Sequence, residues 1–126
     1  MQIPNTESDE RMKGDGISVM GPKGAAVITP YHKESIQLLW RCHLSCLQQH
    51  GDWTLRHVMV ADGHPREEVD GWDVDHIILP MSHGDNGNTP RCVGAISAIN
   101  QGYWPILLLD ADNWFQPWHI NTIEKL

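Results

Sequence analysis

Two aspartates stand one residue apart directly after an apolar run, in the segment ILLLDADNW. The run, residues 106–109, shows no alternation of apolar and polar side chains, which predicts a short strand buried on both faces of a parallel sheet. Asp110 and Asp112 would follow its carboxyl end, where open α/β sheets bind their ligands. Two carboxylates there repel each other unless a cation is shared, so we interpret the pair as functional rather than as turn residues.

Two further polar clusters follow predicted strands. Thr29, Pro30 and Tyr31 end the segment that begins AAV, and Asp62 follows LRHVMV, residues 55–60. Because parallel strands end at one edge of their sheet, we expect these clusters to meet Asp110. Each has a structural alternative, since Asp-Gly is common turn chemistry and tyrosine is often a packing residue.

The spacing of apolar residues predicts the elements that would hold these clusters. A helix over residues 34–50 has its apolar face at Ile36, Leu39, Trp40, His43 and Leu47. A second helix, from Arg91 to about Gln101, has its apolar face at Cys92, Ala95, Ile96 and Ile99. A third strand is predicted over residues 76–80. The resulting order β-α-β-β-α-β predicts a three-layer α/β/α fold with a mostly parallel sheet and right-handed crossovers.

Composition limits the classes of protein that this chain can represent. With 126 residues and 40% hydrophobic content it predicts one domain over residues 25–126, after a polar, flexible leader over residues 1–24. No apolar run approaches a membrane span, no signal peptide is evident, and three cysteines do not form a disulfide framework, so we expect a cytoplasmic protein. The net charge of −7 argues against binding to nucleic acid.

Several stretches together resemble the nucleotide-binding half of family 2 glycosyltransferases with the GT-A fold. The matching stretches are VITPYHKE, HVMVADG, GNTPRCVGAISAINQGYWPILLLDADN, the first helix with Ser45 and Gln49 near its end, and Pro117. They cover about residues 26–118 in the order and spacing of that family. A single Asp-x-Asp is weak evidence, whereas the ordered set is specific.

The resemblance implies a binding site for a nucleoside diphosphate sugar, with a UDP-sugar favoured, and a divalent metal, Mn²⁺ or Mg²⁺. In this comparison Asp112 is the metal ligand, Asp110 faces the ribose and a metal-bound water, and Asp62 accepts a hydrogen bond from the base. The other nucleotide-binding residues that it implies are Thr29, Pro30, Tyr31 and Arg91. Lys33 is a further candidate, because its amine could reach a phosphate.

The chain also departs from the family pattern. Ala61 precedes Asp62 where two acids are common, and Asn113 stands where a third acid is frequent. The acceptor half and the catalytic base of the family lie beyond the Asp-x-Asp, so no base is named here. Without a later strand, the edge at residues 106–109 would be unpaired, and we expect a homodimer or larger assembly through it.

Other functions and sites remain open from the sequence. A noncatalytic nucleotide-sugar-binding or interaction module is the main alternative, because no acceptor half is recognised. A phosphohydrolase of the haloacid dehalogenase type also has Asp-x-Asp after a strand, but its motif follows the first strand rather than the fourth. Cys42 and Cys46, four residues apart, are interpreted as small buried thiols rather than zinc ligands.

Overall fold

One parallel sheet covered by helices on both faces forms the structure. A computed structural model describes residues 23–51 and 54–124, so the predicted leader lies outside the described residues apart from Lys23 and Gly24. The strands are β1 (Ala25–Tyr31), β2 (Leu55–Asp62), β3 (Asp75–Leu79) and β4 (Ile106–Leu108). The helices are α1 (Ile36–Leu47), α2 (Asn88–Asn100), α3 (His119–Glu124) and a 3₁₀ helix, Glu67–Gly71. The predicted three-layer α/β fold with a parallel sheet is confirmed.

The strand order is β3-β2-β1-β4, and every neighbouring pair is parallel. β1 lies between β2 and β4, and all seven of its residues are buried, which explains its nearly continuous apolar sequence. Side chains alternate between the two faces, so Ile28 and Val60 face α2, whereas Thr29 and His57 face α1. Both β1 and β2 extend beyond their predicted ends, to Tyr31 and Asp62.

The predicted apolar face of α1 is partly wrong. Trp40 and Leu47 are exposed, at 42% and 55%, and the helix ends before residue 50. The buried residues of α1 are Leu39, Cys42, His43, Ser45 and Cys46. The buried face therefore combines two large side chains, Leu39 and His43, with three small ones. Cys42 and Cys46 are buried thiols, as the sequence predicts.

The predicted apolar face of α2 is mostly wrong, since Ala95 is the one of its four residues that packs against the core, and the helix begins three residues earlier, at Asn88. Its buried residues are Pro90, Gly94 and Ala98, whereas Cys92, Ile96 and Ile99 are exposed. A Cβ atom on Gly94 would lie 2.6 Å from Cγ2 of Ile28. The helix therefore contacts the sheet through its smallest residues, and hydrophobicity alone selects the opposite face.

The strand before the two aspartates is shorter and more exposed than predicted. β4 ends at Leu108 and pairs with β1 alone, so it lies at an edge of the described sheet. Leu108 is 56% exposed, whereas Leu109 is buried. The continuous apolar sequence of residues 106–109 therefore includes exposed positions at the sheet edge as well as positions in the core.

The segment after the aspartates is held against the end of α1. The amide N–H of Phe115 donates to Oγ of Ser45, and the amide N–H of Ile120 donates to Oε1 of Gln49. These contacts give Ser45 and Gln49 a structural role in fixing the chain beyond β4. Across the described ranges, no helix combines the length and apolarity of a membrane span.

Candidate functional site

A cleft of about 440 Å³ lies at the carboxyl ends of the strands. Its lining brings together side chains from the ends of β1, β2 and β4 and from the loop that leads into α2. The lining residues are Pro30, Tyr31, His32, Glu34, Asp62, Ser82, Gly84, Asp85, Asn86, Gly87, Pro90, Arg91, Asp110, Ala111 and Asp112. Most of the predicted site residues therefore meet in one place.

Asp110 and Asp112 reach the cleft because the residue between them is anchored. Ala111 is buried in the cluster that contains Tyr31 and Leu39. The amide N–H of residue 113 donates to the carbonyl of Asp110, which closes a turn around Ala111. This alternation of exposed, buried and exposed residues explains why the two acids are separated by a small apolar residue.

The carboxylate of Asp112 is free for a ligand. It is exposed, and no described residue bonds it, while Arg41 donates to the backbone carbonyl of Asp112 at 3.0 Å and stacks on Trp114. Within residues 23–51 and 54–124, no group of three histidine, cysteine or acidic side chains forms a metal site. The donor set fits Mg²⁺ or Mn²⁺ bound through one or two carboxylates and completed by phosphate and water oxygens, and does not fit a site built wholly from protein ligands.

Asp110 pairs with Arg91 in the first turn of α2. Nη2 of Arg91 lies 2.8 Å from Oδ1 of Asp110, and Nη1 donates to the carbonyl of Asn86 at 2.8 Å. The guanidinium thus neutralises one of the two aspartates and fixes the loop before α2. Both side chains remain partly exposed, so a bound anion can compete for the arginine.

Asp62 is buried and uses only one of its oxygens. Oδ1 accepts from the amide N–H of His83 at 3.1 Å and contacts Nδ1 of the same histidine at 2.8 Å. None of the described residues forms a hydrogen bond with Oδ2, so this oxygen can accept one from a ligand. The loop comes this close because residue 63 is glycine: with φ of 88°, its hypothetical Cβ would lie 2.4 Å from the amide nitrogen of Ser82.

Tyr31 lines the cleft, but its hydroxyl points away from it. The hydroxyl accepts from the amide N–H of Arg66 and contacts Nε2 of His76 at 2.7 Å, and Nδ1 of His76 contacts Asp70. Burial raises the pKa of Tyr31. Only 2% of the residue is exposed, so little of the ring is available for a base, and its predicted role stays a prediction.

Thr29 and Lys33 are not brought to the cleft. Thr29 is fully buried two residues before the end of β1, and its hydroxyl lies 2.8 Å from Nε2 of His57 on the face of the sheet covered by α1. Lys33 is exposed in the turn after β1. A ligand in the cleft would reach Thr29 only if the surrounding chain moved.

A buried polar network connects α1 to the backbone of Asp110. Nδ1 of His43 lies 2.9 Å from Nδ1 of His57, His57 contacts Thr29, and the Cys42 thiol donates to the Asp110 carbonyl at 3.8 Å. Burial lowers the pKa of His57 to about 3 and also lowers that of His43, so both imidazoles are neutral near pH 7. Burial raises the pKa of Cys42 to about 11, so it is a thiol rather than a metal-binding thiolate.

The loop before α2 contributes residues that sequence reasoning missed. Oδ2 of Asp85 accepts from the amide and hydroxyl of Thr89, and these bonds lower the pKa of Asp85. Its other oxygen, Oδ1, is buried without a partner among the described residues. The polar sequence HGDNGNTP predicts a loop but not which side chains face the cleft. Glu34 and His32 lie in the matched stretch VITPYHKE, but the sequence assigned them no role in the site.

Comparison with known proteins gives similarity at the level of the fold. No protein-family model matches the sequence, and the curated proteins contain no match to it. The crystal structure of S. aureus TarS 1–349 in complex with UDP superposes with a TM-score of 0.65 at 18% identity, over 81% of this chain and 31% of that one. Another crystal structure of S. aureus TarS gives a TM-score of 0.62 at 18% identity, over 81% of this chain and 19% of that chain. This chain therefore spans less than a third of the proteins that it resembles, and what it shares with them is the parallel α/β fold.

Proposed function

We propose that this chain binds the nucleoside diphosphate part of a nucleotide sugar in the cleft, as the donor-binding part of a glycosyltransferase. The observation that carries the proposal is the convergence of Asp62, Asp110 and Asp112 at the carboxyl edge of a parallel sheet. The sequence resemblance to GT-A glycosyltransferases and the fold similarity to a UDP-bound structure support it. The cleft volume is also within the usual range for small-ligand sites.

The charge of the cleft supports a requirement for a divalent cation. Five of its lining residues are acids and one is an arginine, Arg91, which is already paired with Asp110. A diphosphate would be repelled by this set of carboxylates unless a cation bridged them. Asp112, with Asp110 beside it, would hold Mn²⁺ or Mg²⁺, which would neutralise the leaving diphosphate.

Asp62 would select the base. An ionised carboxylate only accepts hydrogen bonds, and Oδ2 is the oxygen left after His83 takes Oδ1. Uracil presents an N–H donor at N3, whereas cytosine has an unprotonated acceptor there. We therefore expect UDP to bind more tightly than CDP. The fold similarity to a UDP-bound structure favours a UDP-sugar as the donor.

Isothermal titration calorimetry with UDP, CDP and GDP, with and without Mn²⁺, tests this function. We expect UDP to bind in a Mn²⁺-dependent manner, and Asp112→Asn to remove the dependence on Mn²⁺. Asp62→Asn should weaken UDP binding by about 10- to 100-fold, the loss typical of a hydrogen bond to a charged group. Failure of all three nucleotides to bind in the presence of Mn²⁺ would refute the proposal.

Glu67→Gln is the matched control for these two variants. It removes one negative charge from an exposed residue of the 3₁₀ helix that does not line the cleft. Its UDP affinity should equal that of the wild type. An equal loss in all three variants would contradict a specific role for the two cleft carboxylates.

A further inference from the structure

The free edge of β4 is complementary to itself. Within the described residues β4 pairs only with β1, through bonds that include Ala26 N–H to the Pro105 carbonyl and Leu109 N–H to the Ile28 carbonyl, both 3.0 Å. In a parallel ladder of this register, the N–H and C=O groups of Ile106 and Leu108 point away from β1. Four backbone groups along this edge are therefore available to another strand.

We propose that a second copy of this chain pairs with β4 in an antiparallel, two-fold arrangement centred on Leu107. In this register Ile106 of one copy lies opposite Leu108 of the other, and each pair exchanges two backbone hydrogen bonds. All four outward groups are satisfied at once. Shifting the pairing by two residues in either direction leaves some of them unpaired.

The side chains agree with this register. Ile106 and Leu108 lie on the face of the sheet covered by α2, and opposite residues in an antiparallel pair share a face, so the apolar side chains meet across the two-fold axis. Leu108 is 56% exposed, and Trp104, just before the strand, is 60% exposed. Ile99 on the neighbouring helix α2 is also exposed.

The available area fits a weak dimer. The exposed side chains of Ile99, Trp104 and Leu108 offer roughly 350 Å² of apolar surface per copy, so two copies would bury roughly 700 Å² before backbone and polar atoms are added. This lies below the roughly 1,200 Å² at which standard specific interfaces begin, so we expect weak, reversible association that depends on protein concentration. The proposal does not depend on nucleotide binding.

Sedimentation velocity of the 126-residue chain across the micromolar range tests the proposal. We expect a monomer–dimer equilibrium that Leu108→Lys shifts to monomer. Ile78→Lys is the matched control, because Ile78 is 49% exposed on β3, at the opposite edge of the described sheet, and should leave the dimer unchanged. A wild-type chain that stays monomeric, or a dimer equally sensitive or insensitive to both variants, would overturn the proposal.

A cross-linking experiment tests the register without relying on a disruptive charge. Two Leu107 residues across the axis form a non-hydrogen-bonded pair with Cα atoms about 4.5 Å apart, within the range of a disulfide. In a Cys92→Ser background, Leu107→Cys should therefore form a disulfide dimer with oxidised glutathione, whereas Leu47→Cys should not. No excess of covalent dimer over this control, by mass spectrometry, would refute the register.

Discussion

His43 and His57 make the stability of the fold depend on pH. The folded-state pKa of His57, about 3, lies below its ordinary value of 6.5, because burial disfavours the imidazolium and the neighbouring His43 adds to this. When both rings are neutral, Nδ1 of one ring donates its hydrogen to Nδ1 of the other. If both Nδ1 atoms carried a hydrogen, neither could accept this bond. Well above pH 6.5 the folded and unfolded chains bind the same number of protons at His57. Below it only the unfolded chain gains one, so stability falls as the pH falls.

We predict that His57 alone lowers the free energy of unfolding by about 2 kcal/mol between about pH 7.5 and about pH 5. The lowered pKa of His43 acts in the same direction. Urea unfolding of wild type and His57→Gln at both pH values measures the effect, and the variant should show the smaller change. His64→Gln, at an exposed histidine, is the control. Equal changes in wild type and His57→Gln would contradict the prediction.

The carboxylates of the cleft show how neighbours give one residue type different roles. Asp62 is buried and held by His83, Asp110 is paired with Arg91, and Asp112 is exposed with a free side chain. Asp62 is held in one orientation by His83, which suits a specific hydrogen bond from a ligand. Asp112 is exposed to water and can change its orientation, which suits a cation that requires its own coordination geometry.

At the level of elements, the contact between α2 and the sheet depends on Gly94. A Cβ at this position would lie 2.6 Å from Ile28 Cγ2 and 3.0 Å from Val60 Cγ2, both in fully buried side chains. Overpacking of this kind costs about 1–3 kcal/mol, and the gain from replacing a helical glycine offsets about 1 kcal/mol at most.

We predict that Gly94→Ala lowers the free energy of unfolding by about 1–2 kcal/mol. Gly71→Ala is the matched control, because a Cβ there meets no atom within 4 Å. Thermal or urea unfolding of both variants measures the difference. A Gly94→Ala protein as stable as Gly71→Ala would mean that α2 can move away from the sheet at little cost.

The same helix shows why the fold was more predictable than its packing. Apolar runs predict all four strands, because strands are enriched in β-branched and other apolar residues, although only β1 and β2 are largely buried. The core-facing side of α2 is not predictable in this way, since close approach selects Gly94 and Ala98 while Ile96 and Ile99 stay exposed.

The site was predictable where its residues follow strands. Asp62 and Asp110 come directly after apolar segments, so topology alone brings them together at one edge. Asp85 and His83 lie in a loop whose path depends on tertiary contacts, and the sequence gives no period or motif for them. Thr29 was placed on the right strand but faces α1, because its side chain joins the histidine network.

At the scale of the whole molecule, binding and transfer make different demands. The cleft lies at one edge of a sheet that covers less than a third of the TarS chains it resembles. Transfer of a sugar to a hydroxyl also needs an acceptor wall and a group that removes the hydroxyl proton. Most cleft carboxylates are already engaged: Glu34 with the His32 amide, Asp62 with His83, Asp85 with Thr89, and Asp110 with Arg91.

We therefore predict that residues 1–126 bind a UDP-sugar but transfer it slowly, with donor hydrolysis as the main reaction. A missing general base removes about 10²–10⁴-fold of rate, and poor positioning of the acceptor removes more. UDP release from UDP-sugars, measured with and without added acceptor saccharides, should respond little to the acceptor. Glu34→Gln and Asp85→Asn identify whether either cleft acid acts as a base despite its hydrogen bonds. Rapid turnover that depends on one acceptor, and that is lost in either variant, would contradict the prediction and identify the base within the cleft.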